Sequence, residues 1–173
     1  MNAQIEREVV GAAQEATVRA QIGGSGGPLS SVGRAYLSGN IPRAAAVTFL
    51  INFLLGSIAV ITLPSVVLPG VGTFMAALRA LMWGLLLGPS SVLMAYVMLP
   101  HSWTMLLEGE GYILAALFGL LIPVHLFQSS LGGTALGRFG RVLLLNIQAN
   151  AWVALVLAVA ACYEAIEVIW MAG

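Results

Sequence analysis

The sequence predicts an all-α fold, a polytopic bundle of about five transmembrane helices, some of them short or broken. Hydrophobic residues make up 60% of the 173-residue chain and charged residues only 8%, whereas a soluble domain is about 45–50% apolar and about 25% charged. Residues 44–63 form a run of 20 residues without a charge. About 20 apolar residues cross a hydrocarbon core as a helix. Proline and glycine divide the apolar sequence that follows into further segments.

Charge and motif content exclude several classes of function. The seven acidic residues are all glutamate and the seven basic residues all arginine, so the formal charge is zero and gives no electrostatic case for nucleic acid. Cys162 is the lone cysteine, which excludes an intrachain disulfide and a cysteine metal cluster; we expect it to be a small buried hydrophobe. The chain contains no phosphate-binding loop, zinc-protease motif or serine-hydrolase motif. We therefore expect no catalytic, metal or cofactor-binding residue.

The first 40 residues are predicted to be cytoplasmic. They comprise a weak amphipathic helix within residues 1–22 and the flexible linker "GGSGGPLSS". Residues 1–22 lack the apolar core of a signal peptide, so we expect the N-terminus to be retained. Residues 41–173 are predicted to form the transmembrane bundle.

The bundle is divided by its helix-breaking residues. Pro64, Pro69 and Gly70 are expected to end the first span, because proline removes a backbone donor and clashes with the preceding turn. Residues 128–141 are predicted to be a loop. The predicted spans are 44–63, 71–88, 91–107, 111–127 and a last helix from Val142 onward.

The arginines predict an orientation, because the cytoplasmic flanks of spans collect basic residues. Four arginines precede the first span and place the N-terminus inside: Arg7, Arg19, Arg34 and Arg43. Arg138 and Arg141 mark a second inside loop, so an even number of crossings separates the two groups. Four crossings followed by the last helix put the C-terminus outside. A re-entrant pair of half-helices over 91–110 is the alternative.

Four ionisable residues define a candidate intramembrane polar site: Arg79, His101, Glu108 and Glu164. Ionisable groups at membrane depth cost a few kcal/mol each, so they face the bundle interior and pair. For Arg79 we expect an ion pair with a glutamate at 108, 110 or 164, or a side chain that reaches the interface; substrate binding is the alternative.

His101 and Glu108 are seven residues apart and share a helix face, whereas Glu110 points away. Such a pair can relay protons, since imidazole titrates near neutrality, or it can be an interior hydrogen bond. Asn146 and Asn150, at i,i+4, are expected to hydrogen-bond between helices, with a transport path as the alternative. Small residues are expected at close helix contacts: Gly56, Ser57, Gly84, Gly88, Gly119 and Gly132.

Three stretches carry a resemblance to a known family: "LPHSWTMLLEGEGYILAALFG", "ALMWGLLLG" and "AACYEAIEVIW". Over about residues 40–173 the chain resembles the stage II sporulation protein M family. The matching positions are Pro100, His101, Glu108, Gly111, Tyr112, Trp83, Gly84, Leu87, Gly88 and Glu164. The chain departs from the family where Glu108 follows the histidine by seven positions and not by about four, and where the asparagine of the second stretch is missing.

The resemblance implies a bundle of about five helices that acts as a non-enzymatic scaffold or accessory subunit of a membrane complex, in the setting of cell-envelope remodelling. The expected location is the cell inner (plasma) membrane, as a multi-pass protein. The expected partners are the lipid bilayer and other membrane or cell-envelope proteins, with a homo-oligomer as a further expectation and no nucleic acid or cofactor. A small transporter or channel that uses the polar site is the alternative, and a membrane-embedded enzyme comes third.

Overall fold

The computed structural model describes residues 28–86, 89, 92–127 and 134–172, and within these ranges the chain is helical and contains no strand. The elements are α1 (Pro28–Leu37), α2 (Ile41–Leu50), a π-helix π1 (Ile51–Thr62), α3 (Leu63–Val67), α4 (Val71–Leu86), α5 (Val92–Phe127) and α6 (Ala135–Ala172). The prediction of an all-α transmembrane bundle is confirmed. The helix predicted within residues 1–22 lies outside the described residues.

Among the described residues, three helical stretches are long and apolar enough to cross a bilayer: Ile41–Val67, Met98–Pro123 and Ala135–Met171. Helix α4 is apolar but has only 16 residues, which corresponds to about 24 Å. The protein is therefore a membrane protein with three long apolar helices and one shorter one.

The first long helical stretch begins after a tight turn. Gly39 takes a positive φ of 65°, a conformation that glycine adopts without a steric penalty. The side-chain oxygen of Asn40 accepts a hydrogen bond of 2.9 Å from the backbone N–H of Arg43, as a helix N-cap does. The helix then continues through Pro64 to Val67, so the expected break at Pro64 is wrong. Only three more helical residues follow the proline.

The middle of this stretch is a π-helix of 12 residues, which the sequence did not predict. Just after it, the backbone N–H of Leu63 donates to the carbonyl of Ile58, five residues back. Most π-helices are single turns, and they are frequent at functional sites. Asn52, Ser57 and Thr62 recur every five residues along π1, so this winding brings them to one side of the helix.

Helix α5 is a single helix of 36 residues, where two spans, 91–107 and 111–127, were predicted. It passes through Pro100, Pro123 and the "EGEG" stretch without a break. Unwinding the chain at membrane depth would leave several backbone groups without partners, which costs more than the one hydrogen bond that each proline removes. The two-span prediction and the re-entrant alternative are both corrected to one continuous helix.

Two segments predicted to be irregular are helical. Helix α1 begins at Pro28, inside the predicted linker, where proline suits the first position of a helix. Helix α6 begins at Ala135, inside the predicted loop 128–141. The hydroxyl of Thr134 accepts a 3.2 Å hydrogen bond from the N–H of Gly137, which caps the helix start. In the sequence, Pro28 and Thr134 are the residues that indicate these two helix starts.

The described residues form two compact units, and the first comprises residues 28–48 and 161–172. Its core consists of small side chains, Ala35, Ala44, Ala45 and Ala165. The hydroxyls of Tyr36 and Thr48 lie 3.0 Å apart in a hydrogen bond. The predicted boundary at residue 40 concerns the membrane border and stays a prediction.

The second unit, Phe49–Ala160, contains π1, α3, α4, α5 and most of α6. Its core is formed by Ile61, Tyr112, Ala115, Ala116, Val153 and Leu157. The first helical stretch and α5 run parallel: Asn52 of π1 donates a hydrogen bond to Glu108, and further along, Ser65 of α3 packs against Gly119. A Cβ atom at Gly119 would lie 2.6 Å from the Ser65 hydroxyl, so this contact requires glycine.

Helix α4 runs in the opposite direction to these two helices. Near its start, the N–H of Gly72 donates to the Ser65 hydroxyl at 3.1 Å. Seven residues later, Arg79 donates to the hydroxyl of Tyr112. Tyr112 lies nearer the start of α5 than Gly119, which packs against Ser65. The short helix α4 therefore runs antiparallel to both π1 and α5, and it joins the end of the first helical stretch to the start of α5.

Helix α6 also runs antiparallel to π1 and α5. Asn150 accepts a 3.4 Å hydrogen bond from the Thr62 hydroxyl, near the end of π1. Leu157, two turns further along α6, packs against Gly111, beside the level of Asn52 and Glu108. Helix α6 thus runs back toward the end of the second unit at which π1 begins.

These directions correct the predicted topology. The chain enters the second unit at Phe49 and leaves it at Ala160, and both residues lie at one end of that unit. Three helical passes separate Phe49 from Thr134, so Arg138 and Arg141 lie at the other end. Three crossings, and not the predicted four, therefore precede these arginines. Helix α6 is the fourth crossing.

This topology predicts the labelling of single cysteines placed in a Cys162→Ser background. Pro69→Cys and Thr134→Cys should react with a membrane-impermeant maleimide from the same side of the membrane, and Pro89→Cys from the opposite side, because α4 and α5 each pass once. The five-span scheme requires Pro69→Cys and Thr134→Cys to react from opposite sides, so that result would refute the helix order.

Close packing predicts different effects at two glycines of α5. A Cβ at Gly111 would lie 2.7 Å from Cδ2 of Leu157, whereas a Cβ at Gly109 would meet no atom within 4 Å. Leu157 is fully buried, so Gly111→Ala should cost about 1–3 kcal/mol of stability through overpacking. Gly109→Ala should be neutral or stabilising by up to about 1 kcal/mol, since alanine is the better helix former.

Thermal unfolding of both variants in one detergent checks this difference. Equal unfolding midpoints for Gly109→Ala and Gly111→Ala would contradict the packing of α5 against α6.

Candidate functional site

The candidate site is a groove of about 800 Å³ between α4 and α5, within the second unit. Its walls are mainly apolar, and several of the residues that line it are small: Ala76, Ala77, Ala80, Gly84, Gly109 and Ala116. Nothing within 4 Å would contact a Cβ at Gly84 or Gly109. These two glycines therefore leave space in the groove and serve no close contact among the described residues.

Arg79 contributes the charge in the groove. One terminal nitrogen of its guanidinium donates to the Tyr112 hydroxyl at 3.0 Å. The guanidinium carbon lies 4.3 Å from the centre of the Tyr112 ring and 5.0 Å from that of Trp83. Both distances are within the range of a cation–π interaction, which gains about 2 kcal/mol or more when desolvated. The Nε atom is buried and has no hydrogen-bond partner among the described residues.

The predicted glutamate partner of Arg79 is corrected. Within the part of the chain that the structure describes, Arg79 contacts Tyr112 and Trp83 and not Glu108 or Glu110. The two rings lie edge to face, with centroids 5.7 Å apart, and hold the guanidinium in place. A carboxylate is thus replaced by two aromatic faces and a hydroxyl, which leave the positive charge without a counter-ion in this unit.

Glu108 belongs to the interior of the unit and not to the groove. It is buried, with 8% of its surface exposed, and it accepts a hydrogen bond from the side-chain amide of Asn52. Asn52 was missed by the sequence reasoning. The sequence could have indicated Asn52, because it places an amide in the mainly apolar run 44–63 and a polar group at membrane depth needs a partner.

The other two predicted site residues lie elsewhere. His101 is half-buried on α5, two turns before Glu108. A contact between them stays a prediction. Glu164 is half-buried and lies in the first unit, whereas Arg79, His101 and Glu108 lie in the second. Glu167, also in the first unit, is buried and was not among the predicted site residues.

Glu110 points away from the bundle, as its spacing from His101 predicts. It is exposed, and it makes no hydrogen bond or ion pair with any described residue. Its neighbours on the outer face of α5 are large exposed side chains: Trp103, Leu106, Ile113 and Leu117. Glu110 is therefore a carboxylate within an apolar surface that faces lipid.

A second group of polar side chains connects π1 and α6. Asn150 donates to the carbonyl and to the side-chain oxygen of Asn146, at 2.9 and 3.0 Å, and it accepts from Thr62. The predicted hydrogen bond between helices is thus confirmed for Asn150, whereas the described hydrogen bonds of Asn146 lie within α6. The Ser57 hydroxyl and the Asn146 amide nitrogen are buried without hydrogen-bond partners among the described residues.

In the described part of the chain, no three His, Cys, Asp or Glu side chains come together as a metal site requires. Cys162 is exposed, so the expectation of a buried cysteine is wrong; it lies on an outward face of α6. Of the small residues predicted at helix contacts, Gly56 and Gly119 pack closely, whereas Gly88 and Gly132 lie outside the described residues.

The fold and the site define a polytopic α-helical membrane protein with an arginine-bearing groove on its outer side. Comparison with protein-family profiles, curated proteins and solved structures found no match for this chain. The resemblance to the stage II sporulation protein M family therefore stays a prediction.

Proposed function

We propose that this protein is a non-enzymatic scaffold or accessory subunit of a membrane complex. The observation that carries the proposal is Arg79, a cation in the groove between α4 and α5 that pairs with no carboxylate among the described residues. A charged side chain at membrane depth costs a few kcal/mol unless it is paired. A partner helix that brings a carboxylate into the groove removes that cost.

The shape of the groove supports the same function. Helices associate in membranes through close packing, and glycine and alanine at an interface allow the two backbones to approach. Gly84, Gly109 and the alanines of α4 offer this surface, and no described residue occupies the space beside the two glycines. The polar groups of the interior, by contrast, bond mostly to one another. The available site thus faces other membrane components.

The setting of the proposal comes from the sequence resemblance. It implies a protein of the cell inner (plasma) membrane that takes part in cell-envelope remodelling beside other membrane or envelope proteins. The apolar helices are consistent with any cellular membrane, so the particular membrane and the partners belong to the proposal.

The size of the complex after extraction from native membranes in a mild detergent tests the proposal. The protein should migrate in an assembly well above its own 18.1 kDa. Arg79→Leu should weaken that assembly about tenfold, because a charge-assisted contact between helices is lost. Ile147→Ala, at an exposed position of α6, is the matched control and should leave the assembly unchanged.

Migration of the unaltered protein as a monomer, or an assembly that Arg79→Leu does not change, would contradict the proposal.

A small transporter is the second candidate, and one observation favours it. The Ser57 hydroxyl and the Asn146 amide are buried without partners among the described residues, and such groups are commonly satisfied by internal water. Proton or solute flux in liposomes that Ser57→Ala abolishes would favour transport over the scaffold function.

A further inference from the structure

We propose that the partner in the groove is a second copy of this chain, with Arg79 of each copy paired to Glu110 of the other. This inference rests on the proposed function, because it names the occupant of the same groove. It requires that both charges be reachable from the groove, that they lie at one depth, and that the surface around them admits a helix.

The first step is that each charge lacks a counter-ion within its own unit. Arg79 is held by an aromatic hydroxyl and two rings, and its Nε is buried without a hydrogen-bond partner among the described residues. Glu110 is exposed and makes no hydrogen bond or ion pair with the described part of the chain. Among the described residues, Arg79 and Glu110 thus each lack a counter-ion.

The second step concerns depth. Glu110 lies at the centre of the apolar span Met98–Pro123. Arg79 bonds to Tyr112, which is two residues from Glu110 and so about 3 Å away along the helix axis. Both charges therefore lie near the middle of the hydrocarbon core. Because that core is about 30 Å thick, a lipid headgroup at the surface lies about 15 Å from them and does not neutralise them.

The third step concerns the surface that joins the charges. Glu110 lies on the outward stripe of α5 between Leu106 and Ile113, and both of these residues also line the groove. Glu110 therefore stands at the rim of the groove that contains Arg79. Gly84 and Gly109 leave space for a helix at this rim, as membrane helix interfaces require.

Twofold symmetry then satisfies both charges at once. In a closed dimer the same surface is used on both copies, so a contact from residue i to residue j is repeated from j to i. The rim of each copy meets the groove of the other, and two Arg79–Glu110 pairs form. One chain supplies both halves of the complementary surface, which favours a second copy over a different protein.

Energy transfer between labelled full-length chains in lipid vesicles measures the association. Arg79→Leu and Glu110→Leu should each lower the association constant about tenfold or more, because each substitution removes both pairs of the dimer. An equal mixture of the two variants should associate more strongly than either variant alone, since the mixed dimer keeps one pair. Arg79→Glu combined with Glu110→Arg should restore association.

The mixture experiment does not depend on the combined variant, which has to fold with its charges exchanged. Association that is insensitive to Glu110→Leu, or a mixture no stronger than the single variants, would overturn the inference. If the chain is monomeric in vesicles but Arg79→Leu still disrupts the native assembly, the scaffold function stands and the second copy is refuted. If Arg79→Leu changes neither measurement, both proposals fail.

Discussion

The structure depends on one constraint, which is that a polar group inside an apolar bundle must find its partner within the protein. Glu108 and Asn52 meet this requirement across two helices, and so do Thr62 and Asn150. Because lipid offers no hydrogen-bond partner, breaking either of these pairs would cost about 1–3 kcal/mol. The hydrogen bonds therefore fix which faces of π1, α5 and α6 turn inward, and the apolar residues fill the space around them.

The backbone is adapted to the same requirement. The π-helix carries Asn52 and Thr62, ten residues apart, which reach α5 and α6 respectively. Gly111 and Gly119 allow α5 to approach α6 and the end of the first helical stretch. Arg79 is half-buried in the groove, where it bonds to the core residue Tyr112, and Glu110 lies on the exposed face of α5. Both residues lie apart from the two polar pairs of the interior, so they are the ones available for assembly.

Composition and the uncharged run 44–63 were sufficient to predict the membrane bundle and its first span, since length and hydropathy alone determine whether a helix can cross. The continuity of α5 was not predictable from Pro100 and "EGEG", which break helices in water but not where unwinding leaves backbone groups without partners. The contact of Arg79 with Tyr112 was not predictable, because the sequence does not show which side chain of a neighbouring helix faces Arg79. The π-helical winding of π1 was not predicted either. Its one sequence signal is the five-residue spacing of Asn52, Ser57 and Thr62.

The two glutamates of α5 give the most direct test of this division between fold and assembly. The thermal unfolding of the monomer in detergent should be measured for Asn52→Leu, Glu108→Leu, the double variant and Glu110→Leu. Each of the first two should destabilise by about 1–3 kcal/mol, because one buried polar group loses a hydrogen bond, and the double variant by less than their sum. Glu110→Leu should leave the monomer as stable as before. Additive losses at Asn52 and Glu108, or a loss at Glu110 as large as that at Glu108, would contradict the account.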